Sequence, residues 1–119
     1  GPRIKKARNN SVNKKQLRSE RAELLNKKSK TMGGLQRSMD EAEKEVLKLE
    51  EKMEQQNREI REASLKADGE AIKILTKKLH DSKSRLDIVF ARLDLLRSEV
   101  EDRTKEFEGE LESLMTVSR

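Results

Sequence analysis

Ser64-Leu65-Lys66-Ala67-Asp68-Gly69-Glu70-Ala71 is the stretch around which the chain divides. Before it and after it the residues read as helix. Asp68 is a good N-cap for the second helix, and Glu70 would sit in its first turn at the positive end of the macrodipole. Gly69 is expected to ease the reversal of direction.

Working outward, each side carries an apolar ladder with alternating steps of four and three, the pattern of a coiled-coil seam. The first arm presents Leu35, Met39, Ala42, Val46, Leu49, Met53, Gln56, Ile60 and Ala63. The second presents Ile72, Leu75, Leu79, Ser82, Leu86, Val89, Leu93, Leu96 and Val100. It continues less purely through Arg103, Phe107, Glu110, Leu114 and Val117. If the arms fold back on each other, facing rungs must have residue numbers with a constant sum. From Ala63 with Ile72 to Leu35 with Val100, every pair adds to 135. Two unrelated ladders need not agree in phase. The fold read from this is all-α: two long helices, 14–65 and 69–117, in an intramolecular antiparallel coiled-coil hairpin over 14–119.

Flanking charges follow the same register. It sets Glu45 near Arg92, Glu59 near Lys78 and Glu50 near Lys83, which attract, and Lys52 near Arg85, which repel. Farther from the turn the constant pairs Met32 with Arg103, Lys28 with Phe107, Leu25 with Glu110 and Arg21 with Leu114. Each of those layers is half polar, so the open end should be looser, with Leu24 meeting Leu111 by a local shift of phase. Gly33-Gly34 interrupts the first arm. Two glycines cost about 2 kcal/mol against alanine in a helix interior, which predicts a kink, bulge or short break. The alternative is a continuous helix held straight by its partner.

Residues 1–13 read differently. Gly1-Pro2 resembles the remnant of a cleaved tag. The following RIKKARNNSVN has no apolar period, so it reads as a flexible basic linker with helix beginning near Asn13, capped by Asn13 or by Ser11.

Composition supports a narrow seam over a broad core. Charged residues make up 43% of the 119, apolar ones 32% and aromatic ones 2%, which cannot fill a globular interior. The periodicity excludes the rival reading of such a composition, disorder. No apolar run is long enough to span a bilayer, and no signal peptide is expected. The lack of Cys fits a cytoplasmic location. The net charge of +5 hides an asymmetry. Residues 3–30 hold 11 Lys/Arg against 2 Asp/Glu, and the remainder is mildly acidic. A polyanionic partner is expected at the basic end.

No catalytic constellation is visible. There is no phosphate-binding Walker loop, no Cys and a single His, His80, one position past a seam leucine on the outer face. The chain is expected not to be an enzyme and to hold no metal or cofactor. The candidate nucleic-acid-binding residues are Lys5, Lys6, Arg8, Lys14, Lys15, Arg18, Arg21, Lys27, Lys28 and Lys30. Lys66, Lys73, Lys77 and Lys78 form a weaker second patch near the tip. Without Trp or Tyr for base stacking, binding should be weakly sequence-specific and steeply salt-dependent.

Several motifs resemble a known family. Arg21-Ala22-Glu23-Leu24, Ser29-Lys30-Thr31, Leu35 and Lys48-Leu49-Glu50 are similar to the C-terminal coiled-coil domain of bacterial ATP-binding cassette F proteins, such as the Uup-like members. So are Ala67-Asp68-Gly69-Glu70, Leu79-His80 and Leu86-Asp87-Ile88-Val89-Phe90-Ala91-Arg92-Leu93-Asp94 in the second arm. The resemblance covers about residues 14–112. It implies a parent ATPase whose ATP- and Mg-binding cassettes lie outside this chain. The hairpin would then be a monomeric cytoplasmic appendage that contacts DNA or ribosomal RNA, and its own cassette domains, but no membrane. The other functional reading is a structural spacer or protein-interaction coiled coil without a nucleic-acid role, with Phe90 and the half-polar outer layers receiving a partner helix.

Overall fold

A computed structural model describes the backbone of residues 2–117 and the side chains of 13–116. Two helices, α1 (Pro2–Leu65) and α2 (Gly69–Val117), make up the fold. They form an antiparallel helical hairpin. The chain divides into two compact units, Arg37–Arg97 and Gly1–Gln36 with Ser98–Arg119.

The Arg37–Arg97 unit contains the turn. Two hydrogen bonds close α1: Ala67 N–H donates to the Ser64 carbonyl (3.1 Å) and Asp68 N–H to that of Ala63 (2.9 Å). This is a Schellman closure, which requires a left-handed residue after the helix. Ala67 takes that role with φ 51°, and no described glycine has a positive φ. The expectation for Gly69 is therefore corrected. Gly69 is already the first residue of α2, and Ala67 bears the left-handed conformation. Asp68 then caps α2, its Oδ1 accepting from Ala71 N–H at 3.1 Å, and Glu70 lies in the first turn.

Beyond the turn, the seam of this unit follows the ladder. Val89 and Leu93 are 1% and 2% exposed and cluster with Ala42 and Val46. Met39, Leu49 and Leu86 pack against them. One layer is polar: Ser82 Oγ donates to Gln56 Oε1 across the seam at 3.0 Å, with both residues buried. Its cost is limited because no described buried side-chain N or O atom lacks a partner.

In the other unit the stripe changes phase. Leu24, Lys28, Thr31 and Leu35 are half-buried on α1, while Leu25 is exposed. On α2 the stripe reads Val100, Thr104, Phe107, Leu111 and Leu114, with Phe107 buried and Arg103 and Glu110 exposed. The rung Leu25–Glu110 thus gives way to Leu24–Leu111, and Thr104 takes the place of Arg103 at the level of Thr31, with Met32 half-buried beside it; the sum remains 135. The shift replaces Arg103 and Glu110 on the seam by Thr104 and Leu111. Thr104 satisfies its hydroxyl on the Val100 carbonyl at 2.7 Å. The shift places two steps of four in succession, Thr31–Leu35–Met39 on α1 and Leu96–Val100–Thr104 on α2, the local signature of an 11-residue repeat.

Gly33-Gly34 lies where the phase changes. The expected break is absent: α1 is helical throughout, and Thr31 to Leu35 are all half-buried. Packing along a stripe supplies most helical stability and outweighs a local propensity cost of this size. The helix also begins at Pro2, ahead of the linker expected over 1–13 and the onset expected near Asn13. Proline is tolerated in a first turn, and Lys, Arg and Ala are good helix formers. The tag-remnant reading of Gly1 lies outside the described residues.

Two measurements test this packing. Leu93→Ala should destabilise the hairpin by about 3 kcal/mol, whereas Leu95→Ala, at a residue 73% exposed, should change stability little in urea unfolding. At the turn, Ala67→Gly removes a left-handed Cβ penalty on the order of 1 kcal/mol. Gly69→Ala adds a Cβ with no atom within 4 Å inside a helix. Both should raise Tm.

Candidate nucleic-acid interface

The cationic segment lies along α1 in the unit formed with 98–119. Helical spacing sorts its side chains around the Leu17–Leu24–Thr31 stripe. Lys15 and Lys30 project from the side turned away from it. Lys14, Arg18, Arg21 and Lys27 flank it. All six are exposed, while Lys28 lies in the stripe and is half-buried. The side chains of Lys5, Lys6 and Arg8 lie outside the described residues.

Acidic residues accompany them. Leu24 lines one groove together with Glu110, Ser113 and Leu114, which brings the acidic end of α2 beside the basic segment. Residues 13–36 and 98–116 together carry nine Lys/Arg and nine Asp/Glu. The described part of this unit is thus electrically neutral, though its linear sequence looks polarised. The constant of 135, applied to the glutamates of 99–112, already contains this signal. Counting charge along the chain hides it.

A second groove of about 200 Å³ has Lys14, Arg18 and Arg21 around Leu17, Leu114 and Met115. Three cations at intervals of four and three can follow a run of phosphates from one helix edge, with the aliphatic stems of Arg and Lys over the apolar floor.

In the Arg37–Arg97 unit, Lys66, Lys73, Lys77 and Lys78 are all exposed. They do not form one patch: Lys73 and Lys77 lie on the outer side of α2, while Lys78 turns toward the seam. Charge pairing also departs from the expected register. Arg85 Nε donates to Glu45 Oε1 at 2.7 Å. Arg92, the partner expected for Glu45, acts on it only through space. Arg85 reaches along the seam to a carboxylate and so leaves the repulsive level of Lys52. No ion pair within 4.0 Å joins Glu59 to Lys78 or Glu50 to Lys83.

Among the described residues no group of three or more His, Asp or Glu side chains converges to hold a metal, and no helix is long and apolar enough to cross a membrane. His80 is exposed. No protein-family model, curated protein or solved structure matches this chain.

The Arg85 hydrogen bond, then the charges of Arg85 and Arg92, hold the Glu45 carboxyl below the usual glutamate range. A lowered folded-state value contributes stability above the unfolded value and loses it as pH falls through the folded one. The contribution is small because the pair is exposed. The Tm difference between the native chain and Glu45→Gln should therefore be present at neutral pH and vanish in acid. An unchanged difference across that range would contradict the pairing.

Proposed function

We propose that the hairpin is a non-catalytic nucleic-acid-binding arm that grips backbone phosphates of DNA or ribosomal RNA through α1. The observation that carries this reading is the exposure of Lys15 and Lys30 on the side of α1 away from its apolar stripe, with Lys14, Arg18, Arg21 and Lys27 exposed at its margins. Cations so placed can neutralise phosphates and release counterions without first leaving the α2 glutamates. No described side chains assemble a base-reading surface, so the binding is to the backbone and largely independent of sequence. The sequence resemblance supports a parent protein of the ATP-binding cassette F family, cytoplasmic, with ATP and Mg held by cassettes elsewhere in it. In that setting the arm positions the ATPase on its nucleic acid and performs no chemistry.

A second reading, a protein-interaction coiled coil, draws on one specific feature. Leu47 and Phe90 are 61% and 44% exposed. They share a groove of about 310 Å³ with Glu43, Val46, Leu47's neighbour on the seam, and Arg97. Sedimentation separates the readings: the nucleic-acid arm is a 13.8 kDa monomer at all concentrations.

The decisive measurement is fluorescence anisotropy with duplex DNA and duplex RNA. With six phosphate contacts, affinity should fall about 10³-fold between 50 and 200 mM salt. Lys15→Glu/Arg18→Glu/Lys30→Glu should weaken binding at least about ten-fold. Replacing Glu106, Glu108, Glu110 and Glu112 by Gln should strengthen it. No binding to either duplex at low salt would remove the proposal.

A further inference from the structure

Ser82 is the one small hydroxyl residue on the seam of the Arg37–Arg97 unit, and a cleft of about 370 Å³ opens there. Lys52, Lys78, Arg85 and Asp81 surround it, over Gln56 and Ser82. Three cations and one carboxylate line the rim, and Glu45 pairs with Arg85 at 2.7 Å, which leaves one excess positive charge.

The floor supplies a second, independent sign. Gln56 and Ser82 are 5% and 4% exposed, so the cleft reaches polar atoms in a seam otherwise lined by aliphatic side chains. Ser82 Oγ lies within hydrogen-bond distance of both Gln56 Oε1 (3.0 Å) and the Lys78 carbonyl (3.1 Å). A hydroxyl has one proton, so these acceptors share it. The Gln56 amide N–H₂ has no protein acceptor and is not sealed from solvent. Gln56 lines the cleft, so this amide is a donor available to it. Arg85 uses Nε for Glu45, and its terminal N–H groups remain for a bidentate contact.

We infer that this cleft binds a phosphoryl group, with Lys52, Lys78 and Arg85 on its oxygens and the Gln56 amide donating from below. Phosphoryl oxygens suit the site because they offer several acceptors and more than one negative charge to a cluster made of donors. The group can belong to a nucleic-acid backbone or to a free phosphate. The site is separate from the cationic segment of α1, and its occupation does not depend on that segment binding.

The test is a ¹H–¹⁵N NMR titration of the full chain with pyrophosphate, against sodium chloride at matched ionic strength. Saturable shifts should appear at the Gln56 side-chain amide and at Ser82, absent with chloride. Lys52→Gln/Lys78→Gln should weaken pyrophosphate binding at least ten-fold at unchanged Tm, and Glu45→Gln should strengthen it by freeing Arg85. Lys15→Glu/Arg18→Glu/Lys30→Glu should leave it unchanged, so failure of the nucleic-acid reading and failure of this one are distinguishable. In the duplex assay, a salt slope reduced by about two in Lys52→Gln/Lys78→Gln marks the backbone as the source. An unchanged slope with pyrophosphate binding lost marks a free phosphate. Both support the site. Equal shifts with chloride, or undiminished pyrophosphate binding by Lys52→Gln/Lys78→Gln, would overturn it.

Discussion

Register is the constraint on which this hairpin depends. Two helices with no third element can bury a side chain only where the partner presents one at the same level. The turn helps set those levels. The Schellman closure over Ala63–Asp68 ends α1, and Asp68 begins α2 with no residue to spare. One residue more or less would rotate the α2 stripe by about 100° away from α1. The seam is thin, with Val89 and Leu93 close to fully buried and most other rungs only half-buried. Stability is therefore spread over many layers. The Gln56–Ser82 bond adds specificity, since a slipped register would leave both polar groups against aliphatic neighbours.

Electrostatics follows from the same geometry. Linear counting puts a strong positive charge on the first thirty residues, yet the register sets the glutamates of 99–112 opposite residues 23–36, at the end of that stretch. Cations next to those acids are partly neutralised, and the outward ones keep their reach toward a polyanion. In the Arg37–Arg97 unit the balance is different. Glu45 captures Arg85, while Lys52 and Lys78 remain around a polar opening in the seam. One hairpin thus carries two kinds of cationic surface: an extended outer face and a confined cleft with buried donors.

Much of the fold was legible because a coiled coil writes its tertiary contacts in a linear period. The ladders, the sum of 135, the cap at Asp68 and the meeting of Leu24 with Leu111 follow from spacing and side-chain chemistry alone. Of the candidate site, the cationic residues were legible as residue types, and the exposure of Lys14, Lys15, Arg18, Lys27 and Lys30 followed from their positions outside the ladder. Their division into outward, flanking and seam-lying groups was not, because the phase shift between Thr31 and Leu35 had first to be known.

The sequence by itself determined two helices, one turn and the pairing between them, since apolar periodicity leaves a two-helix chain few other ways to hide its leucines. Only the tertiary structure decided the points at which local preference competes with packing. Ala67 accepts the left-handed conformation although Gly69 lies two residues away, because hydrogen-bond closure of α1 places the demand at that position. Gly33-Gly34 stays helical because the buried stripe crosses it. Arg85 chooses Glu45 because a long side chain can leave its own level to escape Lys52. In each case the outcome depends on atoms from both helices, and a linear period carries the phase of each helix without the reach of its side chains.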